Sequence, residues 1–175
     1  YGVSNSFIQG LNVLEDAVTQ VEADRAIEEQ GFLVDSNMYV HDFSDNLTAA
    51  QLSALDAQAK QVSQVLGAPA VVVVTNTNFG ENDIRSLATE FYEQNKFGEI
   101  DGKEGVIIGF NMAESLYEFV VFEDSFGVFT DRDIDLVLDE MYLPLTQGFG
   151  LFEALTVGLN TVEDLSHQYE ICCPG

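Results

Sequence analysis

The stretch APAVVVVT, residues 68–75, decides the fold. Pro69 has no backbone N–H to give to a sheet, so it marks an entry to a strand rather than its interior. Ala70 to Val74 then run without a polar break, and Val71, Val72, Val73 and Val74 are all β-branched. A strand with one face in water alternates apolar and polar residues, whereas an unbroken β-branched run of this length suits a strand covered on both faces. Such strands sit in mostly parallel sheets flanked by helices.

The flanks supply those helices. Upstream, TAAQLSALDAQAKQVSQVLG (48–67) opens with Thr48 and Gln51 as a capping box, buries Leu52, Leu55, Ala59, Val62 and Leu66, and stops at Gly67. Downstream, a helix from about Asn82 to Asn95 places Ile84, Leu87, Ala88 and Phe91 on one stripe. NMYVHDF (37–43) holds a short strand around Tyr39 to His41. GVIIGFN (105–111), the turn MAES (112–115) and LYEFVVF (116–122) read as a hairpin. A helix capped by Thr130 and Asp133 follows, lined by Ile134, Val137, Leu138 and Met141, with Pro144 expected to help end it. The last helix, in GFGLFEALTVGLNTVEDLSHQY (148–169), turns Leu155, Leu159, Val162, Leu165 and Tyr169 inward. Ahead of all this, residues 4–31 form a separate amphipathic helix with Phe7, Leu11, Leu14, Val18 and Val21 on one face. The expected fold is therefore α/β: a single Rossmann-like sandwich, its sheet mixed but mostly parallel with a hairpin edge, and an extra N-terminal helix. The expected boundaries are 1–36 for the helical extension, 37–170 for the domain and 171–175 for a tail.

Charge narrows the partners. In 175 residues, thirty acids face six lysines and arginines, giving a formal charge of −24. That surface repels phosphate backbones and anionic headgroups, which excludes nucleic acid, and it attracts divalent cations or a basic protein. Cys172 and Cys173 are adjacent and near the end; a bond between them would close no useful loop, and no further Cys completes a metal site. The longest purely apolar run, Ala70 to Val74, is far shorter than the ~20 residues of a membrane span.

The connector TNTNFGEND (75–83) has one glycine and no following lysine, and Glu81 and Asp83 occupy the helix start, so it does not read as a nucleotide cradle. No G-x-S-x-G or H-E-x-x-H pattern is present, no catalytic residue is assignable, and His41, on a strand, reads as a structural histidine. The acids suggest more. If the second and third strands are parallel, the hairpin returns the chain to the edge from which the third strand began. EIDGKEG (99–105) and FEDSFGVFTD (122–131) then approach each other, bringing Glu99, Asp101, Glu104, Glu123, Asp124 and Asp131 to one edge. Carboxylates crowded on two loops favour a divalent cation, and Ca²⁺ accepts irregular oxygen ligands. Asp101 and Asp131 are the foremost expected ligands, with Glu104 and Asp124 beside them; Asp42 would join if the first strand ran the other way.

YVHDFSDNLTAAQLSALDAQ (39–58), GAPAVVVVTNTNFGENDIRSLATEFYEQNKFG (67–98), DGKEGVIIGF (101–110) and FGVFTDRDID (126–135) occur in an order and spacing that resembles the TPM domain family, of the thylakoid-lumen phosphatase, photosystem II repair protein and receptor modulator type. The resemblance covers about residues 37–165. It implies an extracytoplasmic domain, often anchored as in bacterial surface proteins by a membrane helix that would follow residue 175, that binds divalent cations; some members hydrolyse phosphomonoesters at acid pH. Thr130 and Asp131 match the family's Thr-Asp directly, and Asp101 or Glu104 stands where the family has Asp-Asn-Gly. The family's Gly-Tyr-Gly after the fourth strand is here EDSFG (123–127), whose added charge disfavours an anionic substrate. Two functions follow as expectations: a cation-binding accessory or interaction module whose partner is another protein, and, as the alternative, a metal-assisted acid phosphatase.

Overall fold

The structure, a computed structural model, describes residues 34–35, 37–76, 83–98, 104–123 and 129–172. The chain divides into two units, Tyr1–Leu33 and Val34–Gly175, and every described residue belongs to the second. The N-terminal helix expected over 4–31 and most of the connector, residues 77–82, lie outside the described residues.

The elements run β1 (Val40–Asp42), α1 (Ala49–Leu66), β2 (Ala70–Thr75), α2 (Ile84–Gln94), β3 (Glu104–Asn111), β4 (Leu116–Glu123), α3 (Asp131–Thr146) and α4 (Leu151–Cys172). They form one sheet of order β1-β2-β3-β4. β1, β2 and β3 are parallel, with Val40 opposite Val72 and Val72 opposite Ile108, and β4 closes the edge antiparallel. All six residues of β2 are buried, as its unbroken apolar run requires. β1 begins one residue later than expected from the sequence. The N–H of Tyr39 turns away to the Asp56 carboxylate, although its carbonyl still accepts from Val72.

The local signals that place the helices are present. Thr48 and Gln51 cap α1 reciprocally, and Gly67 ends it at φ 74°, a left-handed conformation that glycine takes without strain. Asp83 caps α2 by accepting from the Ser86 N–H at 2.8 Å. Thr130 and Asp133 form the capping box of α3. Pro144 does not stop α3 where expected; it lies inside the helix, which continues to Thr146. So near a C-terminus its missing N–H forfeits only one helical bond, and its carbonyl accepts from Phe149 to close the turn.

Two layers of helix cover the sheet. Val40, Val72, Ile108 and Phe119 share one face with Leu55, Val137 and Leu159 of α1, α3 and α4 in a single core. Gly158 lets α4 approach here, since a Cβ would press on Met141 and on Ile108. The opposite face is covered by α2. Gly109 lies beneath it, where a Cβ would meet Ala88 and Ile84, and Arg85 bonds Glu118 of β4 at 2.9 Å. The two crossovers, β1-α1-β2 and β2-α2-β3, step across the sheet in the same direction yet put their helices on opposite faces. One of the two must therefore be left-handed, against the strong general preference for right-handed connections.

Candidate functional site

The sheet has two ends that carry polar residues, and they differ in character. At the end where β3 begins, the hairpin register sets Glu104 opposite Glu123, Gly105 opposite Phe122 and Val106 opposite Val121. The chain segments leading into β3 and out of β4 therefore leave the sheet at the same edge. Like charges at directly opposed positions disfavour pairing unless something offsets them. Glu104 is half-buried, and its backbone is held from below: the Tyr92 hydroxyl donates to its carbonyl. Burial pushes the Tyr92 phenol far above its usual range, with Tyr39 and Glu104 adding to the rise, so this hydroxyl stays protonated as a donor. Gly105 follows at φ 112° with the Pro69 carbonyl close by.

Of the four expected ligands, Glu104 and Asp131 are described, while Asp101 and Asp124 lie outside the described residues. Asp131 is the exposed first residue of α3, where an acid suits the positive end of the helix dipole. Two residues earlier, Phe129 packs edge-on against Phe119 of β4 at 5.8 Å between ring centres, which seats the start of α3 against that strand. Neither the Glu104 nor the Asp131 carboxylate makes a side-chain hydrogen bond or ion pair among the described residues. No group of three or more His, Cys, Asp or Glu side chains there converges as a metal site. The described oxygens are hard donors of the kind Ca²⁺ takes, but two of them alone cannot fill its 6–8 positions; Asp101, Asp124 and backbone carbonyls would have to complete the set.

The other end of the sheet excludes Asp42 from this group. β1 runs parallel to β2, which places Asp42 beside Val74 at the carboxyl ends of the strands, away from Glu104. There its carboxylate is engaged in shaping the next loop, accepting from the Ser44 N–H at 2.8 Å, the Ser44 hydroxyl at 2.5 Å and the Leu47 N–H at 2.8 Å. His41 is buried among Phe91 and Phe97, with ring centres 5.3 and 5.7 Å away. Its Nε2 lies 2.9 Å from the Met38 carbonyl, which can only accept, so that nitrogen carries the proton. Burial holds the His41 pKa below 6.5; the Met38 bond and the charges of Asp56 and Asp35 oppose this without overcoming it.

Because the folded pKa is depressed, the unfolded chain takes up a proton first as pH falls below about 6.5, and the stability due to neutral His41 is lost through that window. Thermal melts of the native chain and His41→Phe between pH 7 and 5 are expected to diverge steadily as pH falls, the variant losing less. Parallel curves would show that His41 is indifferent to its own charge.

Asp56 is the buried charge that the apolar stripe of α1 conceals. Its Oδ1 accepts from the N–H groups of Tyr39 at 2.7 Å and Val40 at 3.3 Å, and its Oδ2 meets Lys60 Nζ at 2.6 Å. The signal was legible in principle: an acid beside Leu55 with a lysine four residues on, inside an otherwise small and apolar stripe.

The fold is that of an α/β sandwich domain with a mixed sheet, in which Glu104 and Glu123 stand opposite each other where β3 begins and β4 ends. The sequence profile of the TPM domain matches residues 40–165, and the chain belongs to the TPM domain family. No curated protein sequence matches the chain. Solved structures carry the same fold. The solution structure of the N-terminal domain of a protein from P. gingivalis is similar at TM-score 0.65 and 16% identity, covering 79% of this chain and 87% of that one. The BA42 protein from the psychrophilic bacterium Bizionia argentinensis is similar at TM-score 0.61 and 17% identity, covering 73% and 86%. The N-terminal domain of the cg2496 protein from Corynebacterium glutamicum is similar at TM-score 0.54 and 15% identity, covering 75% and 79%.

Proposed function

We propose that the chain is an extracytoplasmic accessory or interaction module of the TPM type that binds Ca²⁺ or another divalent cation at the edge where β3 begins and β4 ends. The observation that supports this reading is the register of Glu104 against Glu123. It joins, at one edge, the two segments whose sequences add Asp101 just before β3 and Asp124 just after β4. Asp131 and Asp101 are the foremost ligands, Glu104 and Asp124 their neighbours. A cation there offsets the repulsion of opposed acids and ties two loops together, and a partner protein would read the ordered edge.

Binding to the folded state alone stabilises it by about 2.7 kcal/mol when the cation stands at a hundred times its dissociation constant. For a chain of this size, that corresponds to a rise of roughly 5–10 °C in melting temperature. Millimolar Ca²⁺ is expected to raise the melting temperature of the native chain by this order, and Asp101→Asn with Asp131→Asn to abolish the rise. A melting curve indifferent to Ca²⁺ overturns the reading. Family membership favours a second reading, a metal-assisted acid phosphatase in which the same cation polarises a phosphoryl oxygen. A chain that releases no phosphate from a generic phosphomonoester between pH 4 and 8, with and without Ca²⁺, rejects it.

A further inference from the structure

The described surface carries large apolar side chains that the fold leaves uncovered. Of five such side chains among the described residues, Leu116 (47% exposed) begins β4, while Phe149 (61%), Tyr142 (55%), Leu143 (48%) and Leu136 (42%) lie on α3 or on the turn that joins it to α4. Single exposed apolar residues need no explanation, but Leu136, Leu143 and Phe149 line one seam. Two depressions run along the contact between α3 and α4. One, of about 540 Å³, is lined by Leu136 and Leu165 with Asp135 and Asp139. The other, of about 380 Å³, is lined by Leu143, Pro144, Phe149 and Val157, with Glu140 and Glu153. From Arg132 to Gln147 the seam follows α3 for about 22 Å, the length of a helix of roughly fifteen residues. Apolar side chains and acids share its lining, and Arg132 is the one cation among the described residues that line either depression. Along α3 itself, Asp131, Asp135 and Asp139 repeat at intervals of four, a spacing at which like charges disfavour the helix unless an opposite charge is supplied.

We propose that the α3–α4 seam is the docking surface for a cationic amphipathic helix of another protein. Apolar residues of the guest at i, i+3 or i+4 and i+7 seat on Leu136, Leu143 and Phe149, and lysines or arginines along its flanks meet Asp135, Asp139 and Glu140. Charge selects this occupant over the alternatives. A second copy of the chain brings the same −24 to the interface. The amphipathic stretch within residues 1–33 carries six acids against Arg25, so it too meets the seam with like charge. A cationic guest removes the repulsion within α3 while covering Leu136, Leu143 and Phe149, and the acid excess raises its rate of encounter.

The test uses the full 175-residue chain and a labelled fifteen-residue leucine–lysine peptide whose leucines repeat at helical spacing. In about 0.15 M salt, backbone amide shifts are expected to move along α3 and α4 and not along α2 or β1, with one peptide per chain. Leu143→Ser with Phe149→Ser, and separately Asp135→Asn with Asp139→Asn and Glu140→Gln, are each expected to weaken binding at least tenfold. Melting curves of the variants, made at four exposed residues and the half-buried Glu140, are expected to show that each still folds. Three results overturn the proposal: equal binding of a peptide of the same composition with its leucines scattered, shifts spread over the whole acidic surface, or unchanged affinity in both variants. A dimer in sedimentation that Leu143→Ser with Phe149→Ser dissolves would instead assign the seam to a second copy, and overturns it equally.

Discussion

Gly105→Ala is expected to destabilise the chain by about 3–5 kcal/mol, a large fraction of the 5–15 kcal/mol that holds a domain together. Two effects combine. Gly105 sits at φ 112°, outside the conformations an L-residue adopts without strain. A Cβ there would also fall inside the contact distance of the Tyr92 hydroxyl and the Pro69 carbonyl. One of those atoms belongs to backbone and neither is free to swing aside, because the Tyr92 ring is buried and stacked on Phe122 at 4.3 Å. Gly67→Ala separates the two effects. Gly67 has φ 74° and nothing within 4 Å of its would-be Cβ, so only the strain remains and about 1–2 kcal/mol is expected. Urea midpoints of the two variants therefore measure the clash by difference. Adding Tyr92→Phe to Gly105→Ala is expected to recover part of the loss, since it removes one of the two obstructing atoms. Equal midpoints for Gly105→Ala and Gly67→Ala would show that β3 can withdraw from Tyr92 at no cost.

That glycine marks where the sequence stopped being readable. Periodicity and caps are local, and they were legible: the buried run of β2, the hairpin, the boxes at Thr48 and Thr130, and the stop at Gly67 all stand in the structure. The role of Gly105 depends on Tyr92 and Pro69, which reach it from two other elements, and no spacing in the chain announces their meeting. The same holds for the faces. The stripes of α1 and α2 each show that a helix is amphipathic, but nothing in them says that one packs on Val72 and the other over Gly109, or that one crossover is left-handed in consequence. Asp42 illustrates a conditional reading that topology resolved, since its membership of the acidic edge turned wholly on the direction of a three-residue strand. The acidic edge was half legible. The antiparallel return of β4 followed from the hairpin pattern and does oppose Glu104 to Glu123, whereas the seat of Phe129 on Phe119, just ahead of α3, is a meeting that no spacing in the chain announces.

Asp56→Ala is expected to cost about 2–4 kcal/mol, more than the loss of a surface ion pair can explain. Its importance lies in β1. That strand has only three residues and one neighbour in the sheet, so its own ladder holds it weakly. The Asp56 carboxylate supplies what a second neighbour would, accepting the Tyr39 and Val40 N–H groups from the overlying helix. Removing it strands two donors at a site where Val40 is fully buried. Burial by itself would raise the Asp56 pKa; the Lys60 side chain, the two backbone N–H groups and the Lys60 charge together outweigh it, and the carboxyl is held below 3.8. A depressed folded pKa contributes stability that is present above about 3.8 and lost as pH falls through the folded value, so the difference between native chain and Asp56→Ala should shrink in strong acid. Lys60→Ala decides between clamp and ion pair. The lysine is 43% exposed, and its loss is expected to cost no more than about 1 kcal/mol. Hydrogen exchange gives the local readout: the Tyr39 and Val40 amides should lose protection in Asp56→Ala and keep most of it in Lys60→Ala. If the two variants proved equally unstable, with equal exchange at Tyr39, the ion pair and not the clamp would be what fastens β1 to the sheet.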